Sequence, residues 1–118
     1  MLEIKIEGLG EIQDVLKRFP AEIKTAVQRV LEYETVQIAE RARQLAPVRT
    51  GALRASIYTV TRDFLSVALG AAVYYAGFVE YGTRKMAARP YLRPAIEEKR
   101  QELLEKTGEA IASAFSQL

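Results

Sequence analysis

The chain has 118 residues, of which 49% are hydrophobic and 27% charged. That composition fits one soluble globular domain spanning residues 1–118. It contains no Cys and no His, which excludes disulfides, thiolate chemistry and cysteine zinc sites, and removes the commonest general base and metal ligand. No apolar run approaches the ~20 residues that cross a bilayer, and Met1 to Glu7 lacks a signal-peptide apolar region, so the expectation is a protein made in the cytoplasm with no membrane association.

The net charge of +2 conceals an uneven distribution. Residues 1–40 carry 5 Lys and Arg against 8 Asp and Glu, residues 41–93 carry 9 against 2, and residues 94–118 carry 3 against 5. In the basic middle, Arg outnumbers Lys eight to one. A planar guanidinium fork suits carboxylate or phosphate at an interface, so the middle reads as a solvated basic face or as a docking surface for an acidic partner or nucleic acid.

Leu2 to Glu7 alternates apolar and charged residues with period two, the pattern of a half-buried strand ended by Gly8 and Gly10. Ile12, Val15, Leu16 and Phe19 recur at helical spacing and predict a short helix over residues 10–18. From Ala21 to Ala46 the apolar positions Ile23, Val27, Val30, Leu31, Ile38, Ala42 and Leu45 form the stripe of a long amphipathic helix. Pro47 stops it by pushing its predecessor out of the helical region. Tyr33 and Val36 lie off that stripe, where a neighbouring subunit is able to cover them. Residues 47–51 read as a loop. β-Branched and aromatic residues then predict a strand from about Ser56 to Thr61, a turn at Asp63, and a second strand over 65–70. Tyr74 to Tyr81 reads as a short helix ended by Gly82, and residues 84–88 as a loop that orders on docking. Pro94 fits the first turn of a last helix, which runs to about Gln117 with the stripe Ile96, Leu103, Leu104, Ile111, Ala114, Phe115 and Leu118 and an interruption at Gly108. The expected fold is α+β: a small, mainly antiparallel sheet of three or four strands packed with a long central helix, a short N-terminal helix and a long C-terminal helix.

The search for chemistry yields little. Glu80 is the one acid in the aromatic segment 75–83 and reads as an ion-pair anchor for one of the nearby arginines. Ser56 and Thr50 have no His for a triad, and Gly70, Gly77 and Gly82 match neither a phosphate loop nor a dinucleotide spacing. The acids of the last helix alternate with Lys and Arg as a solvated face. Basic residues interleaved with Tyr58, Tyr74, Tyr75, Tyr81 and Tyr91 fit base stacking in principle, but those aromatics sit among apolar residues and read as core. The expectations are no enzyme activity, no metal and no cofactor.

Two blocks carry a resemblance. Ala46-Pro47-Val48-Arg49-Thr50-Gly51-Ala52-Leu53-Arg54-Ala55-Ser56-Ile57 resembles the pattern APVxTGxLRxSI, and residues 75–95 resemble YAxFVExGTxxMxAxPFLRPA. These patterns belong to the neck and tail-completion proteins of long-tailed bacteriophages, the head–tail connector family found in lambdoid phages and prophages. The chain departs from them at Arg49, where the family commonly has Asp, and at Tyr91, where Phe is frequent. Block order, spacing and the preceding long helix also match.

The resemblance implies a structural virion protein at the head–tail junction. It would form a homo-oligomeric ring of six or twelve subunits around the DNA channel, contacting other neck proteins and the tail-tube protein. DNA would pass through without sequence-specific binding. By the same resemblance the partner-binding residues are Arg49, Arg54, Arg84, Lys85, Met86, Arg89 and Arg93, with Glu80, Tyr81, Tyr91 and Leu92 as anchors that fix the loop to the core. The competing readings are a prophage-encoded adaptor or regulator that binds an acidic protein, and a nucleic-acid-binding module.

Overall fold

A computed structural model describes residues 1–6, 10–48 and 51–117. Glu7 and Gly8, Arg49 and Thr50 of the loop, and Leu118 of the last stripe lie outside the described residues. In chain order the elements are β1 (Leu2–Lys5), α1 (Gly10–Leu16), α2 (Ala21–Leu45), α3 (Ala52–Ala55), β2 (Ile57–Asp63), β3 (Ser66–Ala71), α4 (Ala76–Tyr81) and α5 (Leu92–Ser116). The fold is α+β, as its hydrophobic patterning predicts. The one-turn helix α3 falls where the sequence reads as the approach to a strand.

α2 has no Gly or Pro between its ends, and its start and stop follow from the two prolines beside it. Pro20 is the extended residue before the first turn (φ −57°, ψ 152°), and Ala46 is extended at φ −65°, ψ 132°, as a residue before Pro47 must be. Ile23, Val27, Leu31, Ile38 and Ala42 are buried along one face. Tyr33 and Val36 are 63% and 48% exposed on the other.

α2 is the spine. The three-stranded antiparallel sheet, ordered β1-β3-β2, lies against one side of it, and α5 packs antiparallel along another. Two contacts fix that antiparallel pairing: Arg41 of α2 donates from Nε to Glu98 of α5 at 2.6 Å, and the Phe19 and Phe115 rings meet edge-on at 4.8 Å. Leu92, Ala95, Ile96 and Leu103 are the buried apolar residues of α5, and each large one adds roughly 1.5–3 kcal/mol on burial. The helix runs unbroken through Gly108, the position at which the sequence expects an interruption. Three polar side chains, Glu34, Thr35 and Thr107, are buried with these helices. Burial first, and the nearby Glu102 second, push the Glu34 carboxyl above the usual carboxylate range. The result is a rod of 56 × 20 × 19 Å.

Pairing of Leu69 with Ile4 and Thr59 sets the sheet face that carries Val67, Leu69 and Ala71 into the core. On the alternate face the Tyr58 hydroxyl donates to Glu3 Oε1 at 2.8 Å, and Arg62 Nη2 donates to the same oxygen at 2.7 Å. Arg62 and then Tyr58 hold the Glu3 carboxyl below its ordinary range. The Tyr58 ring lies so close to Gly70 that any Cβ there would overlap it.

This contact generates a prediction. Gly70→Ala displaces the Tyr58 ring and breaks its bond to Glu3, lowering stability by about 1–3 kcal/mol in urea or thermal denaturation. In a Tyr58→Ala background most of that loss disappears, a non-additivity that reports direct contact. An equal loss in both backgrounds would show that the ring is not the cause.

Candidate functional site

The two motif blocks meet at one end of the rod. They line a groove of ≈ 590 Å³, walled by Pro47, Leu53, Tyr75, Val79 and Met86 with Arg89 beside them. Gly51, which precedes α3, also borders the groove and holds φ +82°, a conformation that glycine adopts without strain.

The second block is organised by Glu80. This last-turn residue of α4 is fully buried, at 0% exposure, and both its carboxylate oxygens are occupied. Oε1 accepts the backbone N–H groups of Tyr91 and Leu92 at 2.9 and 2.8 Å. Oε2 accepts the Arg93 backbone N–H at 3.1 Å and Arg93 Nε at 3.0 Å. The three backbone donors are the entry residue and first two residues of α5, whose N–H groups have no partner within their own helix. Tyr91 supplies no side-chain cap of its own, so α4 caps α5 from outside. A carboxylate is also the right charge for the positive end of a 25-residue helix. Of these interactions, the backbone donors matter more than the ion pair. The Arg93 side chain is half exposed, and solvent weakens a pair of that kind, whereas the N–H groups of Tyr91 and Leu92 are buried.

Tyr91 and Leu92 are both buried. The Tyr91 hydroxyl donates to the Ala76 carbonyl at 3.0 Å, joining the starts of α4 and α5. Burial, and then the Glu80 charge, hold this phenol well above the ordinary tyrosine range. Tyr81 is about half exposed, and its ring lies under the Arg93 guanidinium with Cζ 4.5 Å from the ring centre.

Between α4 and α5 the chain is held by its own main chain. Gly82 N–H closes on the Phe78 carbonyl at 2.8 Å, Thr83 and Met86 exchange bonds at 2.8 and 3.3 Å, and Arg89 N–H reaches back to the Val79 carbonyl at 2.8 Å. Gly82 sits at φ 78°, ψ 176°, and a Cβ there would lie 2.7 Å from the Ala88 backbone nitrogen. Glycine is required twice over, for its dihedrals and for its missing side chain. The loop that the sequence expects to order on docking is therefore tied at both ends and across its middle.

The expected site residues divide into three groups. Glu80, Arg93, Tyr81, Tyr91 and Leu92 form one intramolecular cluster. Arg84, Lys85, Met86 and Arg89 are exposed on the loop, and the side chains of Arg84, Lys85 and Arg89 make no ion pair or hydrogen bond among the described residues. Arg54 stands apart: its Nε donates to the Arg43 carbonyl at 3.0 Å, in the last turn of α2, where a cation is favoured. Arg49 lies outside the described residues. Sequence reasoning missed the groove itself, because nothing in one dimension distinguishes the apolar wall of a groove, which Leu53, Tyr75 and Val79 form here, from the inside of a core. It also missed Tyr74 and Phe78, which are 83% and 54% exposed. Among the described residues no His, Cys, Asp and Glu cluster is able to hold a metal ion, and no helix is long and apolar enough to cross a membrane.

Two predictions test this architecture. Glu80→Ala leaves the buried N–H groups of Tyr91 and Leu92 without an acceptor and removes the carboxylate partner of Arg93 Nε, whose Nη2 keeps the backbone carbonyl at position 80, and costs about 3 kcal/mol or more in chemical denaturation. Glu80→Gln, which keeps an acceptor oxygen, costs less. A loss below about 1 kcal/mol for the alanine variant would show that the carboxylate does not hold the two helices together. The second is a pH effect. The unfolded Tyr91 phenol ionises near its ordinary value of 10.0 and the folded one above it, so the folded state keeps the proton longer and stability falls as pH rises past 10. Tyr91→Phe flattens this alkaline decline, leaving the part due to Tyr58, whose phenol burial also raises. Thermal denaturation of both proteins above and below pH 10 checks it, and parallel curves would refute it.

Comparison with known proteins places the chain in a family. The model of the HK97-gp10-like family, described as "Bacteriophage HK97-gp10, putative tail-component", matches residues 10–82, well over half of the chain. The match takes in the first motif block and α4, and ends at the glycine that opens the loop. No curated protein and no solved structure matches the chain. The chain belongs to the HK97-gp10-like family of bacteriophage tail components, the phage structural family to which its two motif blocks point.

Proposed function

We propose that the chain acts at the phage neck, where it joins head to tail as one subunit of a homo-oligomeric ring around the DNA channel. The observation that carries this reading is the end of the rod. Two sequence blocks separated by the β2–β3 hairpin converge there on one groove, beside a loop whose three exposed cations, Arg84, Lys85 and Arg89, have no side-chain partner among the described residues. A catalytic surface needs groups that exchange protons or electrons. This surface instead offers fixed shape, exposed aromatics and unpaired charge, which are the materials of an interface.

The rest of the molecule suits a ring subunit. The exposed Tyr33 and Val36 on α2 give a neighbouring copy an apolar contact, and the division into acidic flanks and a basic middle favours heterologous contacts, the kind that close into rings. In the neck, the groove end faces another neck protein or the tail tube. DNA passes along the ring through charge and not through base recognition. The protein thus resides in the virion after synthesis in the host cytoplasm.

The test is assembly. The triple variant Arg84→Glu, Lys85→Glu, Arg89→Glu changes only exposed side chains that have no partner among the described residues and keeps the wild-type melting temperature. Mixed with tail-less heads and head-less tails, the wild type restores joined particles by electron microscopy and infectivity, while the variant loses most of that activity. Light scattering follows the 13.2 kDa chain into a ring upon mixing. A variant that joins particles as well as wild type would remove the groove end from the interface, and a wild type that ignores both particles would end the neck reading.

A further inference from the structure

We infer that the groove beneath the Thr83–Pro90 loop accepts a short peptide segment of a different protein, with an apolar side chain to fill the groove and carboxylates to meet the loop. The inference rests on the neck reading only for placing that protein in the virion; the chemistry of the occupant follows from the groove. Its walls are apolar and partly aromatic: Leu53, Tyr75, Val79 and the Met86 thioether. A volume of ≈ 590 Å³ falls within the ~300–1,000 Å³ of sites that enclose a specific ligand. Met adapts its shape to varied apolar partners.

The charge around the groove is of one sign. Residues 41–93 contain two acids. Asp63 ends β2 and accepts a bond from the Phe64 N–H, at the hairpin turn. Glu80 is buried and fully bonded by α5 and Arg93. Neither is free to neutralise Arg84, Lys85 or Arg89, so an incoming carboxylate meets three exposed cations whose side chains have no ion-pair or hydrogen-bond partner among the described residues. An apolar segment without carboxylates would leave these charges beside a drier surface, at a cost, and a polyphosphate would leave the apolar walls unused.

A second copy of this chain is a poor occupant. α5 carries the most carboxylates of any element, five, and each of them is already engaged, while on α1 Asp14 pairs with Lys17. Glu97, Glu102 and Glu109 pair with Arg100, Lys99 and Lys106 of the same helix, Glu98 binds Arg41, and Glu105 accepts from Gln101. No bare acidic segment is left on that helix to donate. The fixed loop also matters: because Glu80 and Gly82 hold it in place, the segment binds a preformed site and does not have to order it.

The test needs no phage particles. A displayed library of random nonapeptides is selected on the wild-type chain, with the R84E/K85E/R89E chain as soluble competitor. The expected survivors carry Asp or Glu beside Leu, Met or Phe. A synthetic peptide of the enriched sequence then shifts the amide resonances of Leu53, Tyr75 and Val79, and its binding weakens at least about ten-fold on the triple variant or when its apolar anchor becomes Ala. The inference is overturned if no sequence is enriched, if survivors lack acids, if the shifts map elsewhere, or if a twelve-nucleotide single-stranded DNA binds the same surface more tightly than the peptide. A chain that restores head–tail joining yet selects no acidic peptide retains the neck function and loses this site. A chain that selects the peptide but ignores heads and tails retains the site and loses the neck.

Discussion

One buried carboxylate sets the geometry of the whole groove end. Removing Glu80 from water costs several kcal/mol unless its lone pairs are filled, and the sequence fills them with the first N–H groups of α5 and the guanidinium of Arg93. Those N–H groups would themselves be orphaned at the start of a helix. Two liabilities cancel at a single point, which fixes the end of α4 to the beginning of α5 and leaves the intervening residues to close a loop between them.

That loop has little freedom left. Gly82 turns the chain sharply where a side chain would strike the backbone of Ala88, and Arg89 is pulled back by its N–H to Val79. The arginines of the second block thereby acquire separate tasks. Arg93 is drawn inward to Glu80 and Tyr81, while Arg84, Lys85 and Arg89 are exposed, their side chains without a partner among the described residues. The same residue type, a few positions apart, serves as internal brace in one case and as exposed charge in the other. Which is which depends on the distance to one buried acid.

Elsewhere the surfaces are mostly committed. α2 gives one side to the sheet and another to α5, and the outer face of the sheet is closed by Tyr58 lying over Gly70 and bonded to Glu3. This leaves the groove end and the exposed Tyr33 and Val36 of α2 as the apolar regions best placed for contact with other chains. In the ring proposed above, the separation of these two regions along the rod leaves one for the chain's own copies and the other for unlike neighbours.

All the elements but the one-turn α3 were legible in the chain. Period-two alternation marked β1, a 25-residue stripe bounded by Pro20 and Pro47 marked α2, and Gly82 and Pro94 bracketed the gap before α5, because propensity and burial periodicity are local properties. The motif blocks also carried the family. Glu80 stood out as the lone acid of its segment, but sequence could not say that it caps α5, since a cap supplied from another element depends on where two helices meet. Nor could it show that Leu53 and Val79 wall a groove, that Tyr58 needs Gly70, or that Arg93 faces inward while Arg89 does not. Those facts arise from contacts between residues distant in the chain. Their free energy exists only once the chain has folded, so only the tertiary structure decides them.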